Sequence, residues 1–372
     1  MIYLDNAATS LIKPPSVERS VLSAMRTMAS PGRGGYLPAR RAAETVYECR
    51  ETAAKLFHVK DPSDIVFTQN ATHALNLAIF SIVEPGDRVL VSGFEHNSVT
   101  RPLHALSAEV DFAGRRLFDA AGALEDFERK IPGKKAVVCT HVSNAFGYVL
   151  PVYEIARMCS SRGVPLIVDA SQSAGILDVD MQRLNAAFIA MPGHKSLFGP
   201  QGTGLLLCNH EVRPLLFGGS GSDSKSPDMP EYLPERLEAG TANVCAIAGL
   251  KAGMEFVMSK GNGRISAYER KLLDTARREL GKIHGIRLFA SDGGEQSGVL
   301  SFTADGIDCE SMAAALSDRG VCVRAGLHCA PAAHESAGTL DGGTVRMSFS
   351  PFVSEADVVS AAGIIKNICK EF

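Results

Sequence analysis

The chain has 372 residues, 45% of them hydrophobic and 21% charged, values that suit a globular protein of about two to three domains and exclude a disordered, collagenous or disulfide-built one. Thirty-eight Lys and Arg stand against 41 Asp and Glu, a net charge of -3, with no long basic run. Neither nucleic acid nor a membrane is therefore expected as a partner, because either needs clustered positive charge.

The amino-terminus carries Asp5 where a signal peptide would carry Lys or Arg, and no leader is expected. The apolar stretches break well before 18 residues; 244–258, for example, contains Lys251 and Glu255. Nine cysteines are scattered and odd in number, with no CxxC pair. That pattern suits reduced thiols in the cytoplasm better than disulfides or a structural zinc, and no metal is expected.

In chain order, apolar runs over 65–68, 88–92, 136–140, 165–169, 187–190 and 204–208 predict strands. Several lack polar alternation, as strands covered on both faces do. Helices are expected between them, over 71–83, 98–106, 124–130 and 151–162. Strand and helix in alternation predict an α/β fold with a mostly parallel sheet. In such sheets ligands gather at the carboxyl ends of the strands, here just after Thr68, Ser92, Thr140, Asp169 and Ala190. Beyond Pro214 the texture turns loop-like over 217–230. Two long helices follow, over 244–260 and 264–282. A smaller α+β part is then expected: strands over 298–303, 321–324 and 344–349, with helices over 309–319 and 355–370.

Several polar residues fall at those strand ends. Lys195 follows the apolar strand ending at Met191, where burial would favour the neutral amine that Schiff-base chemistry requires; the alternative is an exposed loop lysine. Asp169 ends another strand. It reads either as a buried carboxylate awaiting a cation, such as a protonated pyridine nitrogen, or as a helix N-cap with Gln172 at N3. Asn70, Thr72 and His73 open a helix, which suits either a phosphate cradle or an ordinary cap. His96 could stack on a flat cofactor. Cys329 beside His328, between Gly326 and Pro331, could be an activated thiol. Arg346 could clamp a carboxylate bidentately, or form a surface salt bridge.

Tyr3-Leu-Asp-Asn-Ala-Ala-Thr9, Thr140-His-Val-Ser-Asn144, Asp169-Ala-Ser-Gln172, Gly193-His-Lys195, Glu238-Ala-Gly-Thr241 and Arg324-Ala-Gly-Leu-His-Cys329 occur in this order. Together they resemble the class V aminotransferase-fold enzymes, in the cysteine desulfurase and selenocysteine lyase branch, with a SufS-type cysteine motif. The resemblance spans nearly the whole chain. It implies fold type I, with a large α/β domain over 16–255 and a small α+β domain from 1–15 plus 256–372 that carries the Cys329 loop. It also implies pyridoxal 5'-phosphate as cofactor and a homodimer.

In those relatives' terms, Lys195 carries the cofactor and shuttles the Cα proton, Asp169 pairs with the pyridine nitrogen, Gln172 contacts the ring hydroxyl and His96 stacks on the ring. Thr72, the His73 amide and His194 hold the phosphate, with Thr241 supplied across the dimer. Asn144 and Arg346 orient the substrate carboxylate, Arg324 supports the Cys329 loop, and Cys329 takes sulfur as a persulfide. L-cysteine or L-selenocysteine is the implied substrate, alanine the product, and an acceptor protein or small reductant the next sulfur carrier. The chain departs from the pattern at Pro192, where Ser or Thr is common, at His73, where Glu is frequent, and at Leu327, where SufS-type enzymes often have His. Two other readings stand beside this one: a transaminase or lyase on the same fold with Cys329 a bystander, and a non-catalytic metal or iron–sulfur protein.

Overall fold

The computed structural model describes residues 1–32 and 34–371. Strand β1 (Ile2–Tyr3) leads into helices α1 (Pro15–Thr27) and α2 (Leu37–Phe57). Strands and helices then alternate: β2 (Ile65–Thr68), α3 (Ala71–Ile82), β3 (Arg88–Ser92), α4 (Asn97–Ala105), β4 (Glu109–Ala113), α5 (Ala120–Lys130), β5 (Ala136–Thr140), α6 (Val152–Ser161), β6 (Leu166–Asp169), α7 (Met181–Leu184), β7 (Phe188–Pro192) and β8 (Gly204–Cys208). No helix or strand forms over 209–243. The remainder holds α8 (Val244–Lys260), α9 (Asn262–Leu280), β9 (Ile286–Phe289), β10 (Val299–Ala304), α10 (Cys309–Asp318), β11 (Val321–Cys322), β12 (Arg324–Gly326), α11 (Pro331–Ala337), β13 (Thr344–Ser348) and α12 (Glu355–Glu371).

The large sheet runs β2-β8-β7-β6-β5-β3-β4. From β7 to β4 all neighbours are parallel, and β8 alone runs antiparallel to both of its partners. The carboxyl ends of β2, β3, β5, β6 and β7 therefore share one edge. Strands β5 to β8 are buried along their whole length, which explains their unalternated apolar sequences. Edge strand β4 alternates instead, with Glu109 and Asp111 facing outward, and its sequence signal is correspondingly weak. At the opposite edge, β2 is covered: the Phe67 amide donates to Glu238 Oε1 at 2.6 Å and the Arg50 guanidinium donates to the Ile65 carbonyl. This blocks further strand pairing there.

The second sheet, β12-β13-β10-β9, is antiparallel throughout. The single strand expected over 321–324 is in fact two. Val321–Cys322 pairs in parallel with β1, and Arg324–Gly326 turns into the four-stranded sheet beside β13. The helix that would have made Asp169 an N-cap is also absent; turns follow β6 instead. Helices α1 and α2 lie outside the elements read from sequence. The residues they bury are mostly small, among them Ala24, Ala39, Ala42 and Ala53, so their overall apolar content is low although the pattern is periodic.

Helix α8 packs directly on the chain that follows Lys195. A Cβ added at Gly253 would overlap the Leu197 carbonyl oxygen and stand 3.0 Å from the Gly199 amide. Gly253→Ala should thus destabilise the protein by about 1–3 kcal/mol or more, since rigid backbone must give way. An unchanged denaturation midpoint in that variant would disprove the close fit. Among the described residues no helix is long and apolar enough to cross a membrane.

Candidate active site

At the shared carboxyl edge of the large sheet lies a cavity of about 240 Å³, walled on its far side by the second sheet. Ten of the twelve residues singled out from the sequence line it: Thr72, His96, Asn144, Asp169, Gln172, His194, Lys195, Arg324, Cys329 and Arg346. Pro192, Ser98 and the amino-terminal Ala7 and Ala8 complete much of the wall.

Two predicted residues are not brought there. The His73 amide donates to the N-cap oxygen of Asn70 at 2.9 Å, so the capping reading of Asn70 describes the structure and that amide is not free for a ligand. The His73 ring and Thr241 line a separate, larger hollow of about 1250 Å³. His194 and Asn70 border both spaces.

Lys195 sits on the loop after β7. Burial pushes its amine down to about 8; Asp169 opposes the shift, while Arg346 and Arg324 add to it. Asp169 is 3% exposed and its Oδ1 accepts the Ser171 amide at 2.9 Å, closing a turn. Among the described residues it has no ion-pair partner within 4.0 Å. Gln172 does not cap that turn; its Nε2 donates to the Ala7 carbonyl at 2.9 Å.

His96 is the N-cap of α4. Its Nδ1 accepts the Ser98 amide at 3.0 Å, which leaves the ring proton on Nε2, and burial pushes its pKa down to about 4. Ser98 Oγ lies 2.9 Å from the same nitrogen and 2.7 Å from Thr72 Oγ1. One hydroxyl therefore ties the start of α3 to the start of α4. His194 is likewise neutral, lowered to about 4 by burial, with Nδ1 at 3.0 Å from Thr9 Oγ1.

Arg346 is 1% exposed. Its Nη2 meets Asp5 Oδ1 at 2.7 Å, its Nη1 donates to the Asn144 carbonyl at 2.9 Å, and its Nε is buried without a partner. Asp5, Thr9 and Ser98 are thus parts of the site whose contacts sequence reasoning did not find. The Tyr3–Thr9 motif was the only signal for the first two, and it named no role. Removing the Asp5 carboxylate would strand a buried guanidinium, so Asp5→Ala should cost about 3–5 kcal/mol. Equal unfolding midpoints for the variant and the parent chain would show the pair to be inconsequential.

Cys329 is exposed and stands in a turn closed by the Ala330 amide donating to the Leu327 carbonyl at 2.8 Å. Arg324 was expected to support this loop but forms no hydrogen bond to it among the described residues. Asn144 Nδ2 donates to the His328 carbonyl at 2.7 Å instead, and the Asn97 amide to the Cys329 carbonyl at 2.7 Å. An opposite strand register places Arg324 directly beside Arg346, and both face the cavity.

These features fit pyridoxal phosphate. A buried, unpaired carboxylate wants a cation, and a protonated ring nitrogen is one. A lysine whose pKa is lowered offers a neutral amine. At the start of α3 the amides of Ala71 and Thr72 have no acceptor among the described residues, as an anion site requires. Among the described residues no three His, Cys, Asp or Glu side chains cluster closely enough to hold a metal.

The comparisons with known proteins agree with this geometry. The aminotransferase class-V family matches over residues 2–360. A probable cysteine desulfurase of Pyrococcus abyssi is 32% identical over all of this chain and 94% of its own length. One from Methanothermobacter thermautotrophicus is 33% identical, covering 96% of this chain and 92% of that protein. The apo structure of cysteine desulfurase from Thermococcus onnurineus NA1 superposes with a TM-score of 0.92 at 30% identity, over 100% of this chain and 95% of that one. With nearly every residue matched, the chain belongs to the aminotransferase class-V family.

Proposed function

We propose that this protein is a pyridoxal phosphate-dependent cysteine desulfurase that converts L-cysteine to L-alanine and takes the sulfur onto Cys329. The observation that carries the reading is one cavity holding a half-buried lysine, a buried unpaired aspartate and an exposed cysteine on a pinned turn. The names of the relatives support the same activity.

When bound, the cofactor supplies an electron sink that acidifies the substrate Cα–H. The chain's residues do the rest. Lys195 binds the cofactor through its neutral amine and then takes and returns the Cα proton. Asp169 holds the ring nitrogen protonated, His96 covers the ring face and Gln172 reaches its hydroxyl. Thr72, Ser98 and His194 hold the phosphate, a task in which Pro192 takes no part because it has no hydroxyl and no N–H. Arg346 orients the substrate carboxylate with its free N–H groups, helped by Asn144.

The Cys329 thiolate then bonds to the substrate sulfur as the Cβ–S bond breaks. The electron pair left on the carbon side is protonated, alanine leaves, and Cys329 keeps the sulfur as a persulfide. A thiol-bearing acceptor protein or small reductant removes it. L-selenocysteine would be handled by the same residues.

The chain is read as a homodimer in which Thr241 completes the partner's phosphate site. That reading is supported by Thr241 lining the larger hollow and not its own cavity, and by exposed Tyr47 and Leu216 around that hollow. A hydrophobic cluster drawn wholly from Leu4 and residues 272–368 supports a small domain from 1–15 plus 256–372 beside a large one over 16–255, with Phe289, Ala330 and Ala333 of the small domain packed into the large domain's core. Nine free cysteines support a reducing, cytoplasmic setting.

The test is release of alanine and sulfide from L-cysteine by the cofactor-loaded protein with a thiol reductant, run in parallel with L-selenocysteine. Alanine and sulfide in equal amounts are expected; a yellow protein that makes no alanine from either substrate would sink the proposal. Asp169→Asn should bind the cofactor and yet lose about 100- to 10,000-fold in turnover, because the neutral amide cannot hold the ring nitrogen protonated. Turnover near that of the parent chain would remove Asp169 from this role.

A further inference from the structure

The turn that carries Cys329 requires support from outside itself. His328 and Cys329 are consecutive non-glycine residues at φ 52° and 58°. Two positive φ values at the centre of a closed four-residue turn suit Gly or Asn. For other residues such backbone costs about 1–3 kcal/mol each and persists only where the surroundings over-determine it.

Those surroundings converge on His328, which is 4% exposed. Asn144 holds its carbonyl, and Thr344 Oγ1 lies 3.2 Å from its Nε2. The third support is His334 on α11, 0% exposed, with its ring centroid 5.4 Å from that of His328. His334 is itself fixed by Thr339 Oγ1 at 2.8 Å from Nδ1 and by the Phe146 ring at 5.2 Å. Helix α11 is anchored in turn to the loop that carries His96, because Ser336 Oγ donates to the Gly93 carbonyl at 2.9 Å.

Packing alone does not account for a second imidazole here. Its Nε2 is buried without a partner, as is His328 Nδ1. A purely apolar ring would fill the space without that desolvation cost. What an apolar ring lacks is the Thr339 link, which fixes the orientation of the ring on which His328 rests.

We propose that His334 is a positioning residue for the sulfur-accepting thiol: anchored by Thr339, it holds His328, and through it the strained turn that presents Cys329 to the cavity. The proposal rests on the reading of Cys329 as sulfur acceptor. His334 does not line the cavity, and it acts only through its neighbours.

The test compares His334→Phe, Thr339→Val and His334→Asn with the parent chain by three measurements. These are alanine formation from L-cysteine, exchange of the L-alanine Cα hydrogen in D2O, and amide exchange at Ala330 and Asn97 in the substrate-free protein. Cα exchange needs Lys195 and the cofactor but not the thiol. In His334→Phe and Thr339→Val, alanine formation should fall about 10- to 100-fold, the effect of a small misplacement of a reacting group. Cα exchange should stay within about twofold. Protection of the Ala330 and Asn97 amides, which close and anchor the turn, should drop. His334→Asn, whose amide can keep the Thr339 bond but which offers no ring for His328 to rest on, should recover only part of each loss.

Unchanged protection of both amides in His334→Phe and Thr339→Val would overturn the proposal. So would a fall in Cα exchange that matches the fall in alanine. A parent chain that forms no alanine would defeat the desulfurase reading instead, and the amide-exchange arm would still decide whether His334 holds the turn.

Discussion

Cys329→Ser should form alanine from L-cysteine more slowly by a factor on the order of a thousand or more, while still exchanging the substrate Cα hydrogen. The two steps use different groups. Removal of the Cα proton is assigned to Lys195, inside the cavity after β7, whereas sulfur transfer requires a soft nucleophile at the substrate sulfur. A hydroxyl matches the thiol in size but is far harder to deprotonate and bonds poorly to sulfur. Among the described residues Cys329 is the one cysteine that lines the cavity; Cys49, Cys139, Cys159 and Cys208 are buried elsewhere, where burial raises the pKa of each, and the partly exposed Cys245, Cys309, Cys322 and Cys369 do not line it. No other described thiol is therefore placed to substitute. The measurement is a pair of rates on one preparation, alanine release and Cα exchange in D2O. Near-normal alanine release would take Cys329 out of the chemistry and favour a lyase or transaminase on the same scaffold.

Lys195→Ala should lose turnover by a factor on the order of 10⁴ or more and lose the visible absorbance of lysine-bound cofactor. The structure adds a pH dependence. Burial lowers the Lys195 amine from 10.5 to about 8, and only the neutral amine can attack the cofactor carbonyl. Cofactor capture by the apo protein should accordingly speed up as pH rises and level off above about 8, not above 10.5. The sign follows from the protonation: below the pKa the amine is an ammonium ion without a lone pair. Stopped-flow growth of the cofactor absorbance across that range reads the midpoint directly. A midpoint near 10.5 would mean that Lys195 is solvated and the cavity open, and retained absorbance in the alanine variant would point to another lysine.

Arg346 shows how sequence and structure divide the work. Its position in a short apolar strand near the carboxyl-terminus left it open as a clamp or a surface salt bridge. The structure makes it both buried and paired, with Asp5 reaching it from the opposite end of the chain, 341 residues away. No local pattern contains that distance. The same holds for Thr9 with His194 and for Gln172 with Ala7, where the amino-terminal segment is laid across the carboxyl edge of the sheet.

The sequence by itself determined the alternating architecture and the row of strand ends where the site forms. Strands β5 to β8 are covered on both faces and must be apolar throughout, so their burial is written into local composition. With the motifs it also picked out twelve site residues, ten of which line the cavity. Only the tertiary structure decided the rest: helices α1 and α2, whose low apolar content hides the residues they bury, the splitting of 321–326 between two sheets, and the turn in place of a helix after Asp169. It alone decided the backbone of Cys329 too. Positive φ at His328 and Cys329 runs against local preference, and it stands because Asn144, Thr344 and Asn97, drawn from three distant segments, hold it there. Periodicity and propensity register what neighbours along the chain prefer, whereas a strained turn is set by contacts that exist only once the chain has folded.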